Sequence, residues 1–175
     1  MSVTGSLYEK LALRKGAGDG PEHERVATLS EVVRGHEAVL TKLRLSRERW
    51  ILWVEVDHLR LGGSGVVGRG VEYRGRQLQF VTLEDGTSVI AECRSNRFLD
   101  ERCRFSPEQE DELRALGWKN PEPPRANWHF QANSDEELQT LNFLAQRTLL
   151  ETFGLGEGDL VVVGMQRRFL ESEPP

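Results

Sequence analysis

Residues Gly62 to Gly70 read GGSGVVGRG, and inside them Gly63-x-Gly65-x-x-Gly68 has the spacing of a dinucleotide-binding turn. Such a turn lets backbone amides approach a pyrophosphate, and a helix that opens inside the motif holds the anion at its N-terminus. That helix is not written here. The chain continues VVGRGVEYRGRQLQF, where Gly68, Gly70 and Gly75 interrupt and the apolar residues lack helical spacing. The acidic residue that should meet a ribose about 20 positions on falls at Glu84 or Asp85, inside what reads as a hairpin turn. A P-loop needs Gly-Lys-Ser/Thr at its end, and the sequence has none. Residues 62–70 therefore read as a turn leading into a strand, with no helix opening at Gly65 or Gly68.

Other reactive side chains are scattered. His23, His36, His58 and His129 do not pair at metal-ligand spacing, and neither Cys93 nor Cys103 belongs to a Cys-x-x-Cys. The pair Asp57-His58 could exchange protons, but no Gly-x-Ser-x-Gly elbow supplies a nucleophile for it, so a surface or strand-end pair is the better reading. Arg94, Arg97, Arg102 and Arg104 crowd the two cysteines in sequence, yet a solvated face is the better reading of them. The sequence thus offers no catalytic, cofactor or metal residues. The competing reading is a small-ligand or nucleotide-binding enzyme that uses residues 62–70 with Asp57 and His58.

Composition narrows the remaining classes. A formal net charge of −5 disfavours broad nucleic-acid binding, which needs surplus cations to displace counterions. Trp118 and Trp128 sit beside apolar residues and read as core rather than as stacking platforms for bases. The first residues, MSVTGSLYEKLALRKGAGDGPEHE, lack the apolar stretch of a signal peptide, and no window approaches the ~20 apolar residues of a membrane span. Two cysteines suit free thiols in a reducing cytoplasm. These observations favour a cytoplasmic protein with no nucleic-acid or membrane partner.

The elements that must position any site follow from periodicity and punctuation. Residues 1–20 and 171–175 read as flexible tails around one domain, 21–170. From Pro21 to Leu45, apolar residues from Val26 to Leu43 recur at helical spacing, interrupted by Gly35, so one broken helix or two short ones are expected. WILWVEVDHLRL, residues 50–61, fits a strand by its Trp, Ile and Val content. It also fits a helix by the spacing of Trp50, Trp53, Val54 and Leu61. QLQFVTL (77–83) and TSVIAECR (87–94) flank Asp85-Gly86 and predict an antiparallel pair. An earlier strand is expected within 66–74. Ser106, Pro107 and Gln109 write the start of a helix that Gly117 ends; Ser134 and Glu137 start another that Gly154 ends. NWHFQ and DLVVVGM read as strands.

Those punctuated elements carry a resemblance. ECRSNRFLD, then SPEQEDELRALGWKNPEPPRANWHF, then a helix ending LLETFG resemble the TY-Chap domains of actinobacteria, named for type III secretion chaperones and YbjN. The matching residues are Ser95-Asn96, Leu113, Leu116, Gly117, Trp118, Pro121, Asn127 and Trp128. The resemblance implies an α+β fold, an antiparallel β-sheet with packed helices of the type III secretion chaperone kind, over a family-like core of about residues 48–155. It places 50–61 on the first family helix and leaves the first 45 residues outside, as an N-terminal helical extension. It implies a non-enzymatic, chaperone-like or adaptor role, with a protein client or partner and often a homodimer.

Physical roles can be assigned to the same residues. Leu113 and Leu116 face inward, Gly117 stops the helix, Trp118 covers its end, Pro121 turns the chain and Asn127 pins a loop. In the helix from Asp135 to Phe153, Leu138, Leu141, Leu144, Ala145, Leu149 and Phe153 form a stripe for the sheet. Phe143 and Leu150 lie off that stripe and, at 100° per residue, above one another. Either the N-terminal helix of residues 24–45 covers them, or they bind a partner.

Overall fold

A computed structural model describes residues 23–57 and 74–167. The described chain runs β1 (His23–Thr28), α1 (Leu29–Leu45), β2 (Trp50–Glu55), β3 (Gln77–Thr82), β4 (Val89–Cys93), α2 (Pro107–Leu116), β5 (Trp128–Ala132), α3 (Asp135–Arg147) and β6 (Leu160–Arg167). The strands form one sheet in the order β1-β6-β2-β3-β4-β5, and every neighbouring pair is antiparallel. This is the α+β architecture the sequence implied. The glycine run 62–70, His58, both expected tails and all but Arg74 of the strand expected within 66–74 lie outside the described residues.

Two expectations need correction. Residues 50–61 do not begin a helix: Trp50–Glu55 is β2, hydrogen-bonded to β3 on one side and β6 on the other. Ile51 to Glu55 are all buried, so both faces are covered and the period-two alternation of an exposed strand is lost. What remained legible was a spacing that also suits a helix. The N-terminal segment is likewise not a purely helical extension. It opens with strand β1, pairs Ala27 with Val161 and Arg25 with Val163, and then enters one unbroken helix.

Helix α1 starts at a reciprocal cap. Glu31 N–H donates to Thr28 Oγ1 at 3.3 Å, and Thr28 N–H donates to the Glu31 carboxylate at 2.9 Å. The loop before β6 supplies two more partners for the helix start: Leu29 and Ser30 amides donate to the carbonyls of Asp159 and Glu157. The two ends of the described chain are thereby tied together. Leu29, Val32, Val39, Leu40 and Leu43 of α1 join Leu52, Val54, Phe80, Val163, Leu141 and Leu144 in one core.

Tryptophan and glycine set the spacing of the central strands. Trp53 faces Gly164 across β2 and β6. A Cβ on Gly164 would stand 2.1 Å from the Trp53 ring, so only glycine lets the ring lie over the neighbouring strand. Gly164→Ala should cost about 2–3 kcal/mol by overpacking. Urea unfolding checks this, and a Trp53→Leu background should return part of the loss, because the clash is then removed.

A buried polar contact joins α1 to α3. His36 Nδ1 lies 3.1 Å from Asn142 Oδ1, which makes Nδ1 the protonated donor. The His36 ring meets Phe80 edge-on at 4.4 Å. Burial, opposed only by the Asn142 hydrogen bond, lowers the His36 pKa from 6.5 to about 4. The unfolded chain binds this proton below pH 6.5 and the folded site resists it down to about pH 4. Stability present at neutral pH is therefore lost as pH falls through that window, by about 2 kcal/mol between pH 7 and pH 5. Urea unfolding of His36→Gln should show a flatter pH dependence over the same range.

Candidate functional site

Helix α3 presents the expected stripe inward: Leu138, Leu141, Leu144, Ala145, Leu149 and Phe153 are all buried. Ser134 accepts from Glu137 N–H at its start. Beyond Arg147 the helix loosens into a π-helical turn, Thr148–Thr152, closed by Phe153 N–H to Thr148 C=O at 2.9 Å.

Phe143 is 61% exposed and Leu150 39%. Helix α1 does not cover them; it meets α3 one residue earlier, at Asn142. One neighbour does reach Phe143. The Arg147 guanidinium stands 5.6 Å from the ring centroid, and Glu151 holds it there by two bonds of 2.7 and 2.6 Å. The outer side of α3 thus offers an exposed aromatic ring beside a fixed charge pair.

The loops between β4 and β5 are built by side chains pinning backbone. Asn127 Oδ1 accepts from Ser95 N–H, and Ser95 Oγ donates to Ala126 C=O at 2.7 Å. Asn96 bonds both backbone groups of Phe105, and its Nδ2 also donates to the Glu110 carboxylate at 3.1 Å. Ser106 and Gln109 form the capping box at the start of α2. The helix ends at Gly117, whose φ of 114° suits only glycine, with Trp118 N–H returning to Leu113 C=O. Leu113, Trp118 and Trp128 are buried in the core, with Leu116 packed against it, so these motif residues hold structure. Pro121 is half-buried.

Those pinned loops enclose a pocket that sequence reasoning missed. It has a volume of about 370 Å³ and is lined by residues 95–97, Glu110, Pro121 and 123–126. Its walls come from three separate stretches between Ser95 and Ala126, and no local motif announces it. A bridge between Glu122 and Arg125 closes the Pro123-Pro124 turn.

Asp57 and the two cysteines considered from sequence are buried. Asp57 is buried and accepts three bonds from Arg76: from its backbone N–H at 2.9 Å, Nε at 2.8 Å and Nη2 at 2.7 Å. Burial opposes its ionisation, but the Arg76 hydrogen bonds and charge outweigh it and hold the carboxyl below its ordinary range. Cys93 and Cys103 are free and buried. Burial raises both thiols, that of Cys103 to about 11 with the Asp57 charge adding to it, so neither is a thiolate near neutral pH.

The sheet margin at β5 is closed to an added strand. His129 exchanges both backbone bonds with Lys119, at 2.9 and 3.1 Å. Asn133 N–H donates to the Glu137 carboxylate at 2.6 Å. Only Gln131 lies between them, too little for an extended peptide to pair with. No helix among the described residues is long and apolar enough to cross a membrane.

A family model described as T3SS (YopN, CesT) and YbjN peptide-binding chaperone 3 matches residues 27–164. The match begins at Ala27, near the end of β1, and runs to Gly164 in β6, so all of α1 and most of the last strand lie inside the family region, while most of β1 precedes it. No curated protein and no solved structure matches the chain.

Proposed function

The chain belongs to the TY-Chap3 family of peptide-binding chaperones, and on that basis we propose that it is a non-enzymatic cytoplasmic protein that holds a segment of a partner protein. The family match over nearly the whole described fold carries this reading. The engagement of Asp57 by Arg76 is consistent with it, and two buried free thiols suit a reducing compartment.

The contact surface we propose is the outer side of α3, through Phe143 and Leu150. Large exposed aromatics supply contact area at low entropic cost, and Phe143 is already steadied by Arg147. Closure of the β5 edge removes strand addition at that margin, so a client held beside β5 would be held by side chains. The occupant is a client segment or a second copy of the chain.

Fluorescein-labelled, reduced and carboxymethylated α-lactalbumin, a permanently unfolded chain, is a suitable probe. The full-length protein should raise its anisotropy. Phe143→Ser/Leu150→Ser should abolish that rise while shifting stability by no more than about 0.5 kcal/mol per site, as for other exposed positions. Sedimentation velocity on both proteins reports whether the same face joins two copies. Undiminished binding by the double variant would remove α3 from the interface.

A further inference from the structure

We propose that the pocket between residues 95–97 and 121–126 receives a carboxylate-bearing side chain of the bound peptide. This rests on the peptide-binding reading above and adds a site and a chemical preference to it. Most polar groups of the lining have already spent their bonds. Ser95 spends its hydroxyl on Ala126 C=O, and Asn96 spends its amide on Phe105 C=O and Glu110. Glu110 accepts that bond and has Arg114 4.0 Å away, though Arg114 bonds more closely to Asp111, so Glu110 stays as the one acidic group in the lining.

The two arginines differ from these groups. Among the described residues Arg97 makes no ion pair; its guanidinium stands 5.5 Å from the Phe98 ring centroid. Arg125 forms a loose ion pair with Glu92 at 3.7 Å, beyond hydrogen-bond distance, so its N–H donors are not bonded there. Two guanidinium groups therefore line the pocket with donors to spare, in a chain whose net charge is −5. A planar fork of N–H donors matches a carboxylate. Pro121, Pro123, Pro124 and Ala126 give rigid apolar walls for the methylene stem of a Glu side chain, and proline backbones need no ordering on binding. A volume of about 370 Å³ admits a side chain and its neighbours but not a folded domain.

The test is an NMR titration of the ¹⁵N-labelled full-length chain with acetylated, amidated pentapeptides GLXLG carrying Glu, Gln or Lys at X. The Glu peptide should shift the amides of residues 95–97 and 125–126 and bind about five-fold tighter than the Gln peptide, with the Lys peptide weakest. Arg97→Glu should reverse the order of the Glu and Lys peptides, a gain that loss of folding cannot imitate. Equal binding of the three peptides, or an unchanged order in Arg97→Glu, would overturn the proposal. Shifts confined to the Phe143 face would overturn it while leaving the peptide-binding function standing. Failure of every peptide would also overturn it, and silence of the unfolded α-lactalbumin probe as well would remove the function itself.

Discussion

Trp118→Ala should destabilise the protein by about 3–5 kcal/mol, the cost of deleting a large core aromatic. Trp118 is 3% exposed and sits where α2 ends, in the core that contains Leu113. Its indole Nε1 donates to Thr148 Oγ1 at 2.9 Å, and Thr148 Oγ1 donates on to Leu144 C=O at 2.8 Å. Thr148 is also the first residue of the π-helical turn, so the ring couples the end of α2 to the irregular end of α3. Trp118→Phe keeps most of the ring volume and removes the donor; it should cost less, with about 1 kcal/mol of the loss coming from the hydrogen bond. Urea unfolding of the three proteins separates volume from bonding. A Trp118→Ala protein of native stability that fails to hold the unfolded probe would instead make Trp118 a contact residue.

The parts of the fold that were readable in the sequence are those whose signals are local. Ser106-Pro107-x-Gln109 and Ser134-x-x-Glu137 each state a helix start within four residues, and both caps form. Asp85 organises the β3–β4 turn by accepting from the amides of Thr87 and Ser88 at 2.8 Å, which is why that hairpin was legible. The α3 stripe was legible because six apolar residues repeat at one angle and bury together.

What was not readable depends on neighbours far along the chain. β2 is central, so its pattern is set by β6, more than one hundred residues away, and by a Gly164 that makes room for Trp53. β1 is six residues, HERVAT, with three ionisable side chains, and it becomes a strand because β6 pairs with it. Helix α1 passes through Gly35 without a break because its buried face, from Leu29 to Leu43, is anchored on the sheet. In each case tertiary pairing overrides a weak local preference.

The candidate surfaces divide in the same way. Phe143 could be picked out because a helical wheel alone places it off the stripe. The pocket could not, because its charge balance depends on which of Ser95, Asn96 and Glu110 have already spent their bonds. Asp57 and His58, neighbours in sequence, read as a surface or strand-end pair, with acid–base exchange as the lesser alternative. The partner of Asp57 in space is Arg76, nineteen residues on.

That pairing carries the other large effect. Arg76→Leu should cost about 3–5 kcal/mol, because it removes the Arg76 charge and its two side-chain hydrogen bonds from the buried Asp57 carboxylate. Arg76 is itself buried, donates through Nη1 to Phe153 C=O at 3.1 Å, and stands 5.1 Å from the Phe153 ring centroid. It therefore joins the ends of β2 and β3 to the last turn after α3, and lysine cannot replace it, having no fork to span both carboxylate oxygens. The pH dependence gives the prediction its sign. In the native protein the Asp57 pKa is depressed, so its contribution is fully present above the ordinary carboxyl value of 3.8 and is lost as pH falls through the lower folded value. This acid limb lies below the pH window of His36. In Arg76→Leu, burial acts with far less opposition and raises the Asp57 pKa, so protonation on mild acidification relieves the buried charge. The stability gap between native and Arg76→Leu proteins should therefore narrow as pH falls from 7 towards 5. Asp57→Asn/Arg76→Leu should recover part of the loss at neutral pH and show no such narrowing from this site. Urea midpoints for the three proteins at several pH values decide the matter: an Arg76→Leu protein within about 1 kcal/mol of native at pH 7 would show that the pair is not a keystone of this fold.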